Sequence, residues 1–541
     1  MMLSRVFFLL CPFLSSTVLC LLPSPPSLVV TPSGAIEGEL LFHDGIPVSR
    51  FLGIPFAQPP VRNLRFRRPM PPVGSRNRTL TAREMRPGCV QYSSNPFPWL
   101  DDLPGLSEDC LYLNVWAPKG LKNSVMFFVN TGGFRISSSR LEYFDGLVLS
   151  VLGGVVVVTA NYRLGPQGFL YSGTEDAPGN MGLLDVVEAL KWVRGNIASF
   201  GGDPDSITLF GSSAGGIAIG MFCVSPVTRG LFRRAILQSG SPTNLDGEDN
   251  DRNFRVSQKL AEAVGCADDE NSLADNPETV VECLRNADPF VLSVALSNVT
   301  ANSSRSYYPR FGDELLPKNP RQAIIDGDFE PVDLLIGSNN GDGATLITKT
   351  MKDVFGFFGE KDPQINITFG ESIIKRQFRS YPDPDAVVKQ YLGNVSTEDY
   401  YTIRRQVFTA SGDYARTCPI VYMAEKFAEK DALVYYYYFT RHSSAMPWAP
   451  WMLAVHFDET PFVFGHPISH VESYTKGEVE LSRRMIRAWS DFAKTGIPSD
   501  GEWPLYSKEN PSYQVLDIDT LETGHGPHRP NCDFFRSDFG F

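Results

Sequence analysis

The sequence predicts an α/β fold, a large and mostly parallel central sheet flanked by helices, and three observations carry that prediction. Two continuous apolar runs, Val125 to Asn130 (VMFFVN) and Val155 to Tyr162 (VVVVTANY), have the character of strands buried on both faces, as parallel sheets require. From Asp185 to Phe200, the residues Val186, Val187, Ala189, Leu190, Val193 and Ile197 repeat on one helical face with a period of 3.6. The stretch Ser206 to Gly220 (SITLFGSSAGGIAIG) then reads as a buried strand, a turn too tight for side chains, and a helix. Strand, helix and strand in that order make a βαβ unit.

The rest of the chain fits this frame in order. Residues 1–22 hold Arg5, an interrupted apolar core and, just beyond, the proline-rich PSPPS, which predicts a signal peptide cleaved near Cys20. From Leu28 to Pro72, short strands alternate with turns and end in a proline-fixed segment. A loop rich in proline, aspartate and aromatics runs from Cys89 to Cys110 and leads into the strand LYLNVW. Further strands are expected at Ala235 to Ser239, Leu334 to Ser338 and Leu433 to Thr440, separated by helical and irregular stretches. With no internal repeat, low-complexity block or linker, residues 23–541 are expected to form a single domain.

Composition narrows the function classes. A net charge of −12 disfavours a nucleic-acid partner, and no segment after the signal region is long and apolar enough to span a membrane. Secretion to an extracellular compartment is the expectation, and the N-x-S/T sites Asn77, Asn298, Asn302, Asn366 and Asn394 fit it. There the cysteines should pair. Cys89, Cys110, Cys266, Cys283, Cys418 and Cys532 allow 15 pairings; locality favours Cys89 with Cys110 and Cys266 with Cys283, leaving Cys418 for Cys532. Cys223, on the helix after the tight turn, is expected to stay a small buried hydrophobe.

The chemistry centres on Ser213, in the middle of G-x-S-x-G (Gly211, Ser212, Ser213, Ala214, Gly215). A nucleophile elbow holds its serine in a strained backbone conformation, so the positions two residues away must lack bulk. Its hydroxyl would stand over a helix N-terminus, where unpaired amides favour negative charge. The bland alternative is a Gly/Ser loop without chemistry.

Four separated blocks give the chain a resemblance to the type-B carboxylesterase/cholinesterase family of α/β-hydrolases. They are FLGIPFAQPPVRNLRFRRP, EDCLYLNVWAP, APGNMGLLDVVEALKWVRGNIASFGGDPDSITLFGSSAGG and WMLAVHFDETPFVFG. The resemblance implies the α/β-hydrolase fold and a Ser-His-acid triad, with His456 as the general base and Asp342, where most relatives look to have glutamate, as the acid. Aspartate is one methylene shorter, so its loop must come closer to the imidazole, which Gly341 and Gly343 would permit. Ser239 resembles the serine that holds this carboxylate, and the backbone amides of Gly132, Gly133 and Ala214 would form the oxyanion hole.

The chain departs from the family pattern at Thr131 in the oxyanion turn, at Ser212 in place of a glutamate beside the nucleophile, and at Phe457 in place of the glycine after the histidine. Trp99, Arg135 and Phe457 are expected to contact substrate. The aromatics and aspartate of a choline-binding gorge give way to Thr345, Leu346 and Ser94, which implies neutral or anionic esters instead. Arg65 with Glu108 and Arg163 with Asp185 look like the family's buried ion pairs. The expected function is a secreted serine esterase for a small-molecule ester, with no metal or cofactor and no nucleic-acid partner; a homodimer is left open. The rival reading is a catalytically weak or inactive member serving as an adhesion or ligand-binding, sequestering protein.

Overall fold

A computed structural model describes residues 26–73, 78–97, 100, 105–301, 306–518, 520 and 522–541. The expected signal peptide, Trp99, Asn77 and Asn302 lie outside the described residues. Asn298, Asn366 and Asn394 are all exposed.

The strands are β1 (Pro26–Thr31), β2 (Gly34–His43), β3 (Ile46–Pro55), β4 (Leu80–Thr81), β5 (Gly88–Cys89), β6 (Leu106–Ser107), β7 (Tyr112–Pro118) and β8 (Asn123–Val129). They continue with β9 (Val156–Ala160), β10 (Gly202–Ser212), β11 (Arg234–Gln238), β12 (Asp333–Asn339), β13 (Val434–Phe439), β14 (Ser512–Leu516) and β15 (Thr523–His525). Among the described residues one sheet joins 13 of them in the order β1-β2-β3-β7-β9-β8-β10-β11-β12-β13-β14-β15, with β4 beside β2, while β5 and β6 pair separately. Strands from β9 through β8 to β14 run parallel, and antiparallel pairs sit at both edges. The α/β-hydrolase architecture is therefore present.

One detail differs from the simplest βαβ expectation. The helix Met181–Asn196, α1, leads from β9 to β10, but β8 lies between those strands, so the crossover skips a position. The reason is physical: β8 is apolar from Val125 to Val129 and fully buried, and the centre of the sheet is the place that covers both its faces. Helix α1 buries Val186, Val187, Leu190 and Val193 as its periodicity predicts.

Parallel pairing has a consequence for chemistry. It brings the carboxyl ends of β8, β10, β11, β12 and β13 to the same edge of the sheet, and the loops leaving that edge can converge. Among the described residues three disulfides tie the surrounding loops, Cys89–Cys110, Cys266–Cys283 and Cys418–Cys532, the pairing that locality suggests, and Cys223 is buried and unpaired. The pairs Arg65–Glu108 (2.5 Å) and Arg163–Asp185 (2.7 Å) are formed, the second with both side chains almost wholly buried. Removing one partner of the second would strand a charge at a cost of about 3–5 kcal/mol.

Candidate active site

Strand β10 ends at Ser212, and Ser213 turns the chain into helix α2 (Ala214–Val224) with φ 56° and ψ −118°, a conformation that side chains seldom tolerate. The flanking glycines let it happen. A Cβ at Gly215 would stand 2.1 Å from the Val129 carbonyl oxygen on neighbouring β8. The Ser213 amide donates to the Gln238 carbonyl (2.7 Å), which pins the elbow to the end of β11.

The loop after β12 carries Asp342, whose carboxylate is buried. Its Oδ1 faces His456 Nδ1 at 2.7 Å. Its Oδ2 accepts from Ser239 Oγ (2.8 Å) and from the Asn339 amide (3.0 Å). Burial opposes the charge on this carboxylate, but the His456 hydrogen bond and the nearby cations outweigh burial and hold its pKa below the usual range.

Backbone pairing explains how a short aspartate reaches the imidazole. The Gly341 amide donates to the Ala454 carbonyl (2.8 Å), the Ala454 amide donates to Asn340 Oδ1 (2.9 Å), and Asn339 Nδ2 donates to the Val455 carbonyl (2.7 Å). A Cβ at Gly341 would sit 2.2 Å from the Met452 carbonyl oxygen, so only glycine allows the acid and histidine loops to lie this close.

His456 is buried enough that its pKa falls to about 4; burial is the main cause and the charge of Arg416 the next, against the upward pull of Asp342. Among the described residues its Nε2 has no hydrogen-bond partner. Ser213 and His456 line the same cavity, yet the bond from Ser213 Oγ to Nε2 is not formed. The serine hydroxyl still turns about its single χ1 bond, and catalytic hydrogen bonds often close only when substrate is bound.

The cavity has a volume of about 420 Å³. Thr131, Gly132, Gly133 and Ala214 border it. The Gly132 and Gly133 amides have no acceptor among the described residues, and the Ala214 amide, first in its helix, has no intrahelical acceptor. Three donors without acceptors beside a serine are what a developing oxyanion needs. The Asn130 side chain donates to the Ala160 carbonyl (2.9 Å), and the Tyr162 hydroxyl donates to the Asn130 carbonyl (3.1 Å), so this turn is braced despite Thr131.

Arg135, Phe457, Thr345 and Leu346 line the cavity. Phe457 holds φ 90°, a value that suits glycine. Ser212 does not line the cavity: it is fully buried, and its hydroxyl has no hydrogen-bond partner among the described residues. Ser94 is also absent from the wall, where Ser93 and Asn95 stand instead.

Other site residues were not legible in the sequence. Glu459, three residues past His456, is buried and accepts from Asn339 Nδ2 (2.6 Å) and Gln238 Nε2 (3.0 Å), so it links β11, β12 and the histidine loop. Burial raises its pKa. The cations Arg252, Lys349 and Arg416 also line the cavity, and only their convergence in space marks them.

A metal would find one group among the described residues, Glu142, His466 and His470, whose ligand atoms lie within 4.8 Å of one another. The two imidazoles stack at 4.0 Å and 14°, and His470 Nε2 is already taken by Glu142 at 2.9 Å. Stacked rings do not aim their lone pairs at one point, so the geometry is poor for a tetrahedral ion.

Comparison with known proteins agrees with this geometry. The family model described as "Carboxylesterase family" matches residues 25–535. The chain is 37% identical to acetylcholinesterase-1 of Trittame loki over 94% of each chain. It is 34% identical to the acetylcholinesterase of Leptinotarsa decemlineata, over 95% of this chain and 86% of that one, and 34% identical to that of Bungarus fasciatus, over 94% and 85%. With the elbow, the buried acid–imidazole pair and a family match over nearly its whole length, the chain belongs to the carboxylesterase family of carboxylic ester hydrolases.

Proposed function

We propose that the protein cleaves small-molecule carboxylic esters through an acyl-enzyme on Ser213. Ser213 Oγ attacks the ester carbonyl carbon while its proton passes to His456 Nε2, and Asp342 at 2.7 Å orients the ring and stabilises its charged form. The amides of Gly132, Gly133 and Ala214 take the negative charge that forms on the carbonyl oxygen. The proton on His456 then goes to the leaving alkoxide, and water repeats the sequence to release the acid. Ser239, donating to Asp342 Oδ2, keeps the carboxylate fixed.

The observation that carries this reading is the strained Ser213 elbow facing the same cavity as a His456 nitrogen that no group among the described residues occupies. Exposure to an organophosphate probe tests it: an adduct mass is expected on the Ser213 peptide of the wild type. A correctly disulfide-bonded protein that stays unlabelled would favour the adhesion or sequestering role instead.

The relatives are named acetylcholinesterases. Choline esters nevertheless fit this cavity poorly, because Thr345, Leu346, Arg135 and Lys349 line it and, among the described residues, no carboxylate does. Secretion is supported by the three disulfides, which persist in oxidising compartments. Among the described residues no helix is long and apolar enough to cross a membrane. Residues 23–541 act as one catalytic domain in this reading, and dimer formation is open to measurement by light scattering.

A further inference from the structure

The cavity is cationic in an acidic protein. Four basic side chains from four separate elements border it: Arg135 in the turn after β8, Arg252 at the start of the helix Arg252–Ala263, Lys349 in the helix Ala344–Thr350, and Arg416 in the π-helical turn Asp413–Thr417. Among the described residues no aspartate or glutamate lines the same wall, although the chain carries 61 acidic residues against 49 basic ones. The surplus of acid has been kept elsewhere.

Ordinary ion pairing does not explain all of these cations. Arg135 and Lys349 are partly buried, and neither has a carboxylate oxygen within 4.0 Å among the described residues. Lys349 instead stands over the Phe97 ring (5.0 Å). Burial and the charges of Arg416, Arg135 and Lys352 push its ammonium down to about 8, so the cations are close enough to repel one another. Desolvated like charges are costly unless a counter-charge joins them.

We propose that the substrate is an ester bearing a second, anionic group of the carboxylate type, held by Arg135 and Lys349 while Ser213 attacks the ester carbonyl. This deepens the esterase reading and rests on it for the reaction, though not for the binding. A carboxylate is the counter-ion that the two cations lack, and Arg135 can grip it with its fork of N–H donors. The remaining wall includes Ile136, Ile217, Leu346 and Trp448, which fit an aliphatic or aromatic body. A quaternary ammonium would meet the opposite field.

Three amides on one acetanilide frame, with a meta position that is anionic, unsubstituted or cationic, test the binding without turnover: 3-acetamidobenzoate, acetanilide and 3-acetamido-N,N,N-trimethylanilinium, titrated calorimetrically into the disulfide-intact protein. The benzoate should bind roughly tenfold or more tighter than acetanilide, the anilinium should bind weakest, and raised salt should shrink the gap. Lys349→Met and Arg135→Gln should each lower the benzoate-to-acetanilide affinity ratio by about threefold or more. Equal binding of the three, the reverse order, or an order untouched by both substitutions would overturn the proposal. The matching butyrate esters, assayed in parallel, separate the two readings. No ester cleaved and no organophosphate adduct on Ser213 would overturn the esterase reading alone, with the amide titrations still deciding the anion site.

Discussion

Two carboxylate–imidazole pairs stand near the carboxyl edge of this sheet, and they differ in what surrounds the far nitrogen. In Asp413–His528 every partner is present: His528 Nδ1 contacts Asp413 Oδ1, His528 Nε2 meets the Tyr438 hydroxyl (2.6 Å), and Asp413 Oδ2 accepts from the Tyr391 hydroxyl and Asn531 Nδ2, both at 2.8 Å. In Asp342–His456 the carboxylate is just as well held, but among the described residues Nε2 is left without a partner beside a serine. Burial lowers the pKa of both rings. For His528 the Asp413 charge outweighs it and the net shift is upward; for His456 the Arg416 charge adds to burial, and the ring falls to about 4. The same two residue types thus make a structural clasp in one place and a proton acceptor, neutral at pH 7, in the other.

The largest expected break falls on the open pair. Ser213→Ala should lower kcat/KM for a p-nitrophenyl ester by about 10⁴- to 10⁶-fold, with the melting temperature nearly unchanged. Asp342→Asn should cost about 10⁴-fold, because a neutral amide neither holds the imidazole in the tautomer with its proton on Nδ1 nor stabilises the charged ring. Hydrolysis that survived Ser213→Ala would mean another nucleophile.

The closed pair should fail in the opposite currency. His528→Ala leaves the buried Asp413 carboxylate short of a partner and should cost about 3 kcal/mol of stability, read as a lower urea midpoint. The kcat/KM of the folded protein should stay within a few-fold. A large loss of turnover at unchanged stability would show that the two pairs are not separate devices.

Titration sharpens the contrast. Because His456 must be neutral to accept a proton, the acid limb of kcat/KM should lie near pH 4 and not near the usual 6.5. An acid limb at 6.5 would contradict the environment described for this ring. His528 has a folded-state pKa above its unfolded value, so its stabilisation is fully present below about pH 6.5 and is lost as pH rises through the raised pKa. Urea midpoints at pH 6 and pH 9 should therefore differ more in the wild type than in His528→Ala.

The smallest effect on turnover is expected at Phe457, next to the open pair. Phe457→Gly relieves a positive φ worth about 1 kcal/mol but removes a ring packed against Tyr143 and Phe144. Stability should fall by about 2–4 kcal/mol, the packing loss less the relieved strain, while esters with bulkier acyl groups gain only several-fold in kcat/KM. A variant no more tolerant of bulk would remove Phe457 from the substrate wall.

Much of this was legible because the signals are local. The G-x-S-x-G turn states its own steric reason, since a Cβ at Gly215 has nowhere to go. The α1 periodicity and the apolar strands each report their own burial within a few residues. Two of the three disulfides close loops of 21 and 17 residues, short enough for locality to favour them, and the third follows once those are paired. The position of β8 between β9 and β10 was not legible, because nothing within either segment says which neighbour it will choose. Ser212 was legible as a departure, but not that its side chain turns away from the cavity.

By itself, then, the sequence determined the class of fold, the serine, and, through its resemblance to a family, the histidine and acid that accompany it. Only the tertiary structure decided the electrostatics of the cavity. Arg135, Arg252, Lys349 and Arg416 are spread over nearly 300 positions of chain and mean nothing together until parallel strands bring their loops to one edge. Chain-local chemistry is written in short patterns, whereas a field is the sum of charges over space, and no pattern along the chain records distances that folding alone creates.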